Sequence, residues 1–209
     1  MKATQGPYGA LETGGLLLLQ DKTFPNIVTI VTGESLTGSW WAHPLGHEIF
    51  RLVNEVADHP DVLVSKLLDG KITFVHRRLW PPLLAVAMAG EAWQTAGLSG
   101  EAQLLLEQVE RAGNVVSSGA ASKELECRLL VHGNQIHTES GKHQTRLESW
   151  QAWALRAGCN PDQSAAQGRA VLEAAVCGLG GSVERLPWHR FKLKSTRRGR
   201  STKRKSSHP

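Results

Sequence analysis

The sequence predicts an α+β protein, mostly helical, made of winged helix-turn-helix-like units with a short β-hairpin and followed by a disordered basic C-terminal tail. Three observations lead there. Two β-rich runs, Val62 to Leu68 and Lys71 to Val75, flank Asp69-Gly70, and Asp-Gly suits the two-residue hairpin turn that needs positive φ at both positions. Farther on, two capped helical patterns separated by a short Ser/Gly linker lead into a hairpin-like segment, which is the order of a winged helix-turn-helix. Finally, nine of the chain's 24 Lys and Arg residues fall between Arg190 and Pro209, with no acidic residue among them.

Four segments are expected: residues 1–23 a loose lead-in, 24–97 an N-terminal α/β subdomain with the hairpin, 98–180 a winged-helix-like helical subdomain, and 181–209 the tail. Residues 1–15 are Gly-rich and weakly patterned. Phe24 to Val31 (FPNIVTIV) is rich in β-branched residues and reads as a strand or extended segment. From Leu45 to Ala57, Ile49, Phe50, Val53, Val56 and Ala57 share one helical face, and Pro44 suits the start. After the hairpin, Pro81 and Pro82 sit in the first turn of a helix running to about Trp93.

Ser99 can cap the next helix, whose apolar face is Ala102, Leu105, Leu106 and Val109, and Gly113 ends it. Ser122 can cap another helix through Val131, with Gly133 in the left-handed conformation at its end. A competing reading makes LLVH-GN-QIHT a hairpin around Gly133-Asn134. Further helices are expected over Lys142 to Leu155 and over residues 161–177. On this reading the stretch RLLVHGNQIHTESGKH, residues 128–143, is an architectural joint between the candidate recognition helix and the helix carrying Trp150.

Charge names the expected partner. The nine basic residues at the C-terminal end leave fifteen in residues 1–189 against all nineteen Asp and Glu, so a mildly acidic body carries a strongly basic tail. A segment rich in Ser, Thr, Lys and Arg cannot bury enough apolar surface to offset its ordering entropy, and its natural partner is a polyanion. The candidate nucleic-acid-binding residues are therefore Arg190, Lys192, Lys194, Arg197, Arg198, Arg200, Lys203, Arg204 and Lys205, joined by Lys123 and Arg128 of the candidate recognition helix and by Lys142. Glu124 and Glu126 repel phosphate near that helix's start. DNA is the first choice of polymer.

Other chemistries find less. His132, His137 and His143, with Glu139 between, are the alternative: a base-processing or hydrolytic enzyme, glycosylase-like, in which imidazoles hold zinc and Glu139 serves as base. Their spacings of five and six do not share one helical face, and there is no HExxH. Cys127, Cys159 and Cys177 form no CxxC and read as reduced thiols. Neither GxSxG nor GxxxxGK[ST] occurs. In GSWWAHPLGH, Trp40 and Trp41 could stack on unpaired bases, although one Trp in the core and one against a helix start is the plainer expectation. Arg77 and Arg78 beside Trp80 have the same double reading. No metal, cofactor or catalytic residue is expected. A protein-interaction scaffold is a further alternative. Leu16 to Leu19, four residues, is far short of a membrane span, so no membrane is expected and the location is cytoplasmic, nucleoid-associated if the source is bacterial.

Three stretches, GSWWAHPLGHEIF, KLLDGKITFVHRRLWPPLLAVA and ELECRLLVHGNQIHTESGKHQTRLESW, resemble an uncharacterised bacterial group related to the AlkZ-like winged-helix DNA glycosylases that unhook interstrand crosslinks. The resemblance covers roughly residues 24–155. It implies winged-helix units and a link to DNA repair. The active glycosylases carry a Gln-x-Gln pair, and here no two glutamines stand two residues apart, so no catalytic residue carries over.

Overall fold

The structure is a computed structural model that describes residues 6–137 and 143–191, without the side chains of residues 136, 137 and 143. It is α+β, with two small antiparallel sheets. The first 70 or so residues build one of them: α1 (Pro7–Gly14), β1 (Leu16–Leu18), α2 (Ile27–Thr32), α3 (Gly46–Ala57), β2 (Val62–Leu68) and β3 (Lys71–His76), in strand order β1-β3-β2. The hairpin forms where Asp69-Gly70 places it, with φ of 55° and 68° at the two turn residues.

Two expectations change here. Residues 7–18 are not a loose lead-in. Leu16 and Leu18 enter one apolar cluster and Leu17 another, so β1 is buried on both faces and shows none of the alternation that marks a half-exposed strand. Phe24 to Val31 contains a helix rather than a strand. The Asn26 side chain accepts a hydrogen bond from the Thr29 N–H at 2.9 Å and donates to the carbonyls of Asp21 and Phe24 at 3.0 and 2.9 Å. That cap, with Ile27 and Val28 fully buried, outweighs the modest β preference of the branched residues.

The middle of the chain follows as α4 (Trp80–Ala87), α5 (Ala92–Thr95), α6 (Gly100–Ala112), β4 (Asn114–Ser117), α7 (Ala120–Cys127), β5 (His132–His137) and β6 (His143–Glu148). The second sheet has the order β4-β6-β5, so each sheet places its last strand in the centre. Ser99 caps α6, accepting from the Ala102 N–H at 3.2 Å, and Gly113 ends it, as expected. The helix expected to run from Pro81 to Trp93 is divided into α4 and α5.

α7 begins and ends earlier than expected. Ser122 is not its cap but a buried residue inside it, donating to Ser117 Oγ at 3.0 Å. The left-handed residue after the helix is Leu129, φ 52°, not Gly133. That conformation costs a branched side chain about 1 kcal/mol or more. It is held because the Leu129 side chain is fully buried and its carbonyl accepts from Trp150 Nε1 at 2.9 Å. Gly133 lies within β5, paired with Leu147. Its glycine is needed for close approach: a Cβ there would stand 2.7 Å from Cδ of Glu126. The expected hairpin around Gly133-Asn134 is likewise one continuous strand. The helix expected over Lys142 to Leu155 is β6 followed by α8 (Trp150–Ala157), which Ser149 caps.

α9 (Ala165–Gly178), capped by Ser164 with Gln167, packs along α4, and α10 (Pro187–Arg190) closes the described chain. The segment from 181 to 191, expected to belong to the tail, is folded. Leu186 and Trp188 are buried, and Trp188 Nε1 donates to Glu173 at 2.7 Å. Arg185 donates to Asp21 Oδ2 and to Asp69 Oδ2, each at 2.6 Å. The largest apolar cluster joins the first sheet to α4, α8, α9 and α10, with Trp80 and Trp153 meeting edge to face at 5.2 Å. A second, smaller one lies between α6, α7 and the second sheet.

Burial alone would raise the Asp21 carboxyl. Hydrogen bonds from Arg185 and Lys71, and from the backbone N–H groups of Phe24 and Thr23, instead hold it well below the usual carboxylate range. A depressed folded value means stability that is present above the ordinary carboxylate pKa and is lost as pH falls toward the folded one. Asp21→Asn should therefore destabilise by about 2–3 kcal/mol at pH 7. The gap between variant and wild type in urea melts should shrink as pH drops below about 4. Gly133→Val should cost about 1–3 kcal/mol by overpacking against Glu126 rather than by backbone strain. Gly133→Ala, which strains no φ but still strikes the carboxylate, should show most of that loss in the same melts.

Candidate nucleic-acid interface

α7 presents Lys123 to solvent, and among the described residues Lys123 carries no ion pair. The two acids beside it face elsewhere. Glu124 accepts from Ser99 Oγ at 2.8 Å and lies 3.6 Å from Arg128 Nε. Glu126 is buried and paired with Lys66 of β2. Each carboxylate has a cation beside it, so the repulsion expected at the start of α7 is largely cancelled.

Arg128 does not face solvent. It is 8% exposed, and its Nη1 donates to the carbonyls of Trp93, Gln94 and Ala96 at 2.8, 3.4 and 3.0 Å. Those carbonyls belong to or follow α5, whose last turn leaves acceptors without helical partners. Arg128 thus closes a neighbouring helix, and its guanidinium lies over the Phe191 ring at 4.5 Å. A side chain read as a phosphate contact is a packing element. Its i, i+4 relation to Glu124 was visible in the sequence; the carbonyls it caps were not.

Arg190, at the end of α10, is exposed and lies beside the β2–β3 turn, its Nη1 3.8 Å from where a Cβ on Gly70 would stand. Between α7 and that turn sits the Cys127 thiol. Burial pushes its pKa up and Glu126 adds to that, while Lys66, Arg190 and Lys123 bear on it in the opposite sense. Lys142 and the basic residues from Lys192 to Lys205 lie outside the described residues, but the point where the chain reaches them is fixed: Phe191, against Arg128 at the end of α7.

The histidines do not form a described cluster. His132 is buried, its Nδ1 3.1 Å from Glu148 Oε1. Glu148, which burial would raise, is held below the usual carboxylate range by His132 and Arg156. His137 and His143 face each other in the strand register; their side chains, and Glu139, lie outside the described residues. Among the described residues no group of three or more His, Cys, Asp or Glu could hold a metal ion.

The aromatic candidates are placed as the plainer expectation had it. Trp40 is buried, and Trp41, 60% exposed, stacks on it at 4.0 Å and approaches Phe50 of α3 at 5.3 Å. Arg77 pairs with Asp61 at 2.9 Å. Arg78 donates to the carbonyls of Glu12 and Thr13 at the end of α1. Trp80 is buried, its Nε1 donating to the Val75 carbonyl at 3.1 Å. No helix among the described residues is long and apolar enough to cross a membrane. No protein-family model, curated protein or solved structure matches the chain.

Proposed function

We propose that the protein binds nucleic acid, DNA first, without acting on it chemically, through the α7 surface and the basic C-terminal segment together. The observation that carries this reading is where that segment begins. Phe191 packs against Arg128 at the end of α7, and Arg190 and Cys127 of α7 both approach Gly70 of the hairpin turn. Eight further Lys and Arg residues follow within residues 192–209. The end of α7, on which Lys123 is exposed, and a cationic segment therefore adjoin, and one polyanion can engage both.

The winged-helix reading finds support in the order of elements. α2, a linker, α3 and the β2–β3 hairpin follow one another in the first half; α6, β4, α7 and the β5–β6 hairpin do so in the second. Both halves place the last hairpin strand in the centre of a three-stranded sheet. In the second half α7 occupies the place of a recognition helix, with Lys123 outward. A role in DNA repair rests on the sequence resemblance alone.

Counterion release sets the test. Each phosphate neutralised on duplex DNA contributes a slope of about −0.9 in log K against log salt. Removing residues 192–209 leaves the buried Leu186 and Trp188 in place, so the fold should stay intact. If the tail meets roughly five to eight phosphates, the slope should flatten by about 4 to 7. Lys123→Glu with Arg190→Glu in the truncated chain should flatten it by about another 1 to 2. A slope that truncation leaves unchanged removes the tail from the interface, and one that the double variant also leaves unchanged removes α7.

A further inference from the structure

A cleft of about 440 Å³ lies between α3 and the first sheet on one side and α7 and the second sheet on the other. Its volume is in the range of small-ligand sites. One wall offers the half-buried Val53, Val64 and Ile72, with Phe74 buried beneath them and Asn54 and Asp58 at the α3 side; the other brings Gln135 and Thr145. The pair Lys66 and Glu126 sits within it.

The strands that border the cleft, β2 and β5, are each at the edge of their sheet. An edge strand invites an extended peptide. Here the space is too small for one between them: Cα atoms of β2 and β5 come within 8 Å of each other, whereas a strand inserted between two others needs two ladder spacings, about 9.6 Å. The slot suits a flat ring with one polar edge.

The pair defines that edge. Glu126 bonds Lys66 through Oε2. Among the described residues Oε1 accepts no hydrogen bond, and the ammonium, which has three donors, spends one. The missing side chain at Gly133 leaves the room in which the carboxylate sits. An ammonium with donors to spare and a carboxylate oxygen without a partner among the described residues, the one nearer Gly133, thus line a partly dehydrated slot, where unmade hydrogen bonds are costly. Their complement is a planar ring with an adjacent acceptor and N–H donor, the arrangement on the pairing edge of a nucleobase.

We propose that this cleft binds one nucleobase, its ring against Val53, Val64 and Ile72 and its pairing edge on Lys66 and Glu126. The inference rests on the nucleic-acid reading for one of its two sources, an unpaired base within a strand; the other is a free nucleoside. Neither source requires a reaction.

The test titrates the full chain with uridine and with 3-methyluridine, which lacks the N–H donor, while backbone amide resonances of Lys66, Gly133, Gln135 and Thr145 are followed. Uridine should shift them saturably, with 3-methyluridine at least tenfold weaker and Lys66→Met weakening uridine at least tenfold. An oligothymidylate that displaces uridine assigns the site to a base within a strand; uridine binding without displacement assigns it to a free nucleoside, and both outcomes support the site. Equal binding of the two nucleosides, or shifts confined to residues outside the cleft, would overturn it, and the ligand comparison does so even if the Lys66 variant fails to fold. Salt-sensitive DNA binding that persists in the absence of any nucleoside effect sinks this inference alone. Loss of that DNA binding with uridine still bound sinks the interface reading instead.

Discussion

Arg185 reaches two carboxylates at once, Asp21 in the loop after β1 and Asp69 in the β2–β3 turn, and its own carbonyl accepts from the Asp69 N–H at 2.9 Å. Lys71 completes the group on Asp21 at 2.8 Å. Three segments far apart in sequence are tied at one point, and the aspartate they share is nearly buried. A buried carboxylate is costly unless its oxygens are fully bonded, so the arrangement tolerates little displacement. It fixes where the last folded residues run relative to the first sheet.

The course of the last folded residues follows from that clamp. With Arg185 held on the hairpin turn, Leu186 and Trp188 drop into the main apolar cluster, and Trp188 and His189 both meet Glu173 of α9, at 2.7 and 2.8 Å. α10 then runs past the turn, leaving Arg190 over Gly70 and Phe191 under Arg128. The same Asp-Gly turn that closes the hairpin therefore also seats the C-terminal segment, because Gly70 has no side chain to hold Cys127 and Arg190 away. Where the folded chain ends, at Phe191, is thus a product of packing and buried charge.

The sequence made some of this legible and hid the rest for identifiable reasons. Asp69-Gly70, Ser99 and Gly113 act through local backbone chemistry, and the hairpin and α6 sit where they predict. The face of α3 was also readable, since its apolar residues recur with helical spacing, except that Phe50, expected on that face, is 40% exposed. β1 was hidden because its three leucines face two clusters and never alternate. α2 was hidden because its β-branched residues favour strands and the Asn26 cap works through loop carbonyls beyond any local pattern. The folded stretch from Arg185 to Phe191 was hidden by its place before a run of cations, which made buried Leu186 and Trp188 look like part of the tail. For the candidate site, Lys123 and Arg190 were visible as exposed charges; the cleft around Lys66 and Glu126 joins residues 60 apart, a pairing with no local pattern to announce it.

Arg128 shows why counting cations overstates an interface. Arg51, Lys66, Lys71, Arg77, Arg128, Arg156, Arg169 and Arg185 all have carboxylates within 4.0 Å. A paired charge on the surface contributes little field beyond a Debye length of about 8 Å at physiological salt, and a buried one is committed to its partner. Any attraction of the body for a polyanion, as the proposed function requires, would depend on the few cations left outside such pairs, and on where they stand. Lys123 and Arg190 come from elements 60 residues and more apart, yet both bear on Cys127. Two charges alone give weak, nonspecific attraction. On the proposed reading, two such charges at the root of a segment with eight more would meet the same phosphate backbone as that segment and help set its register.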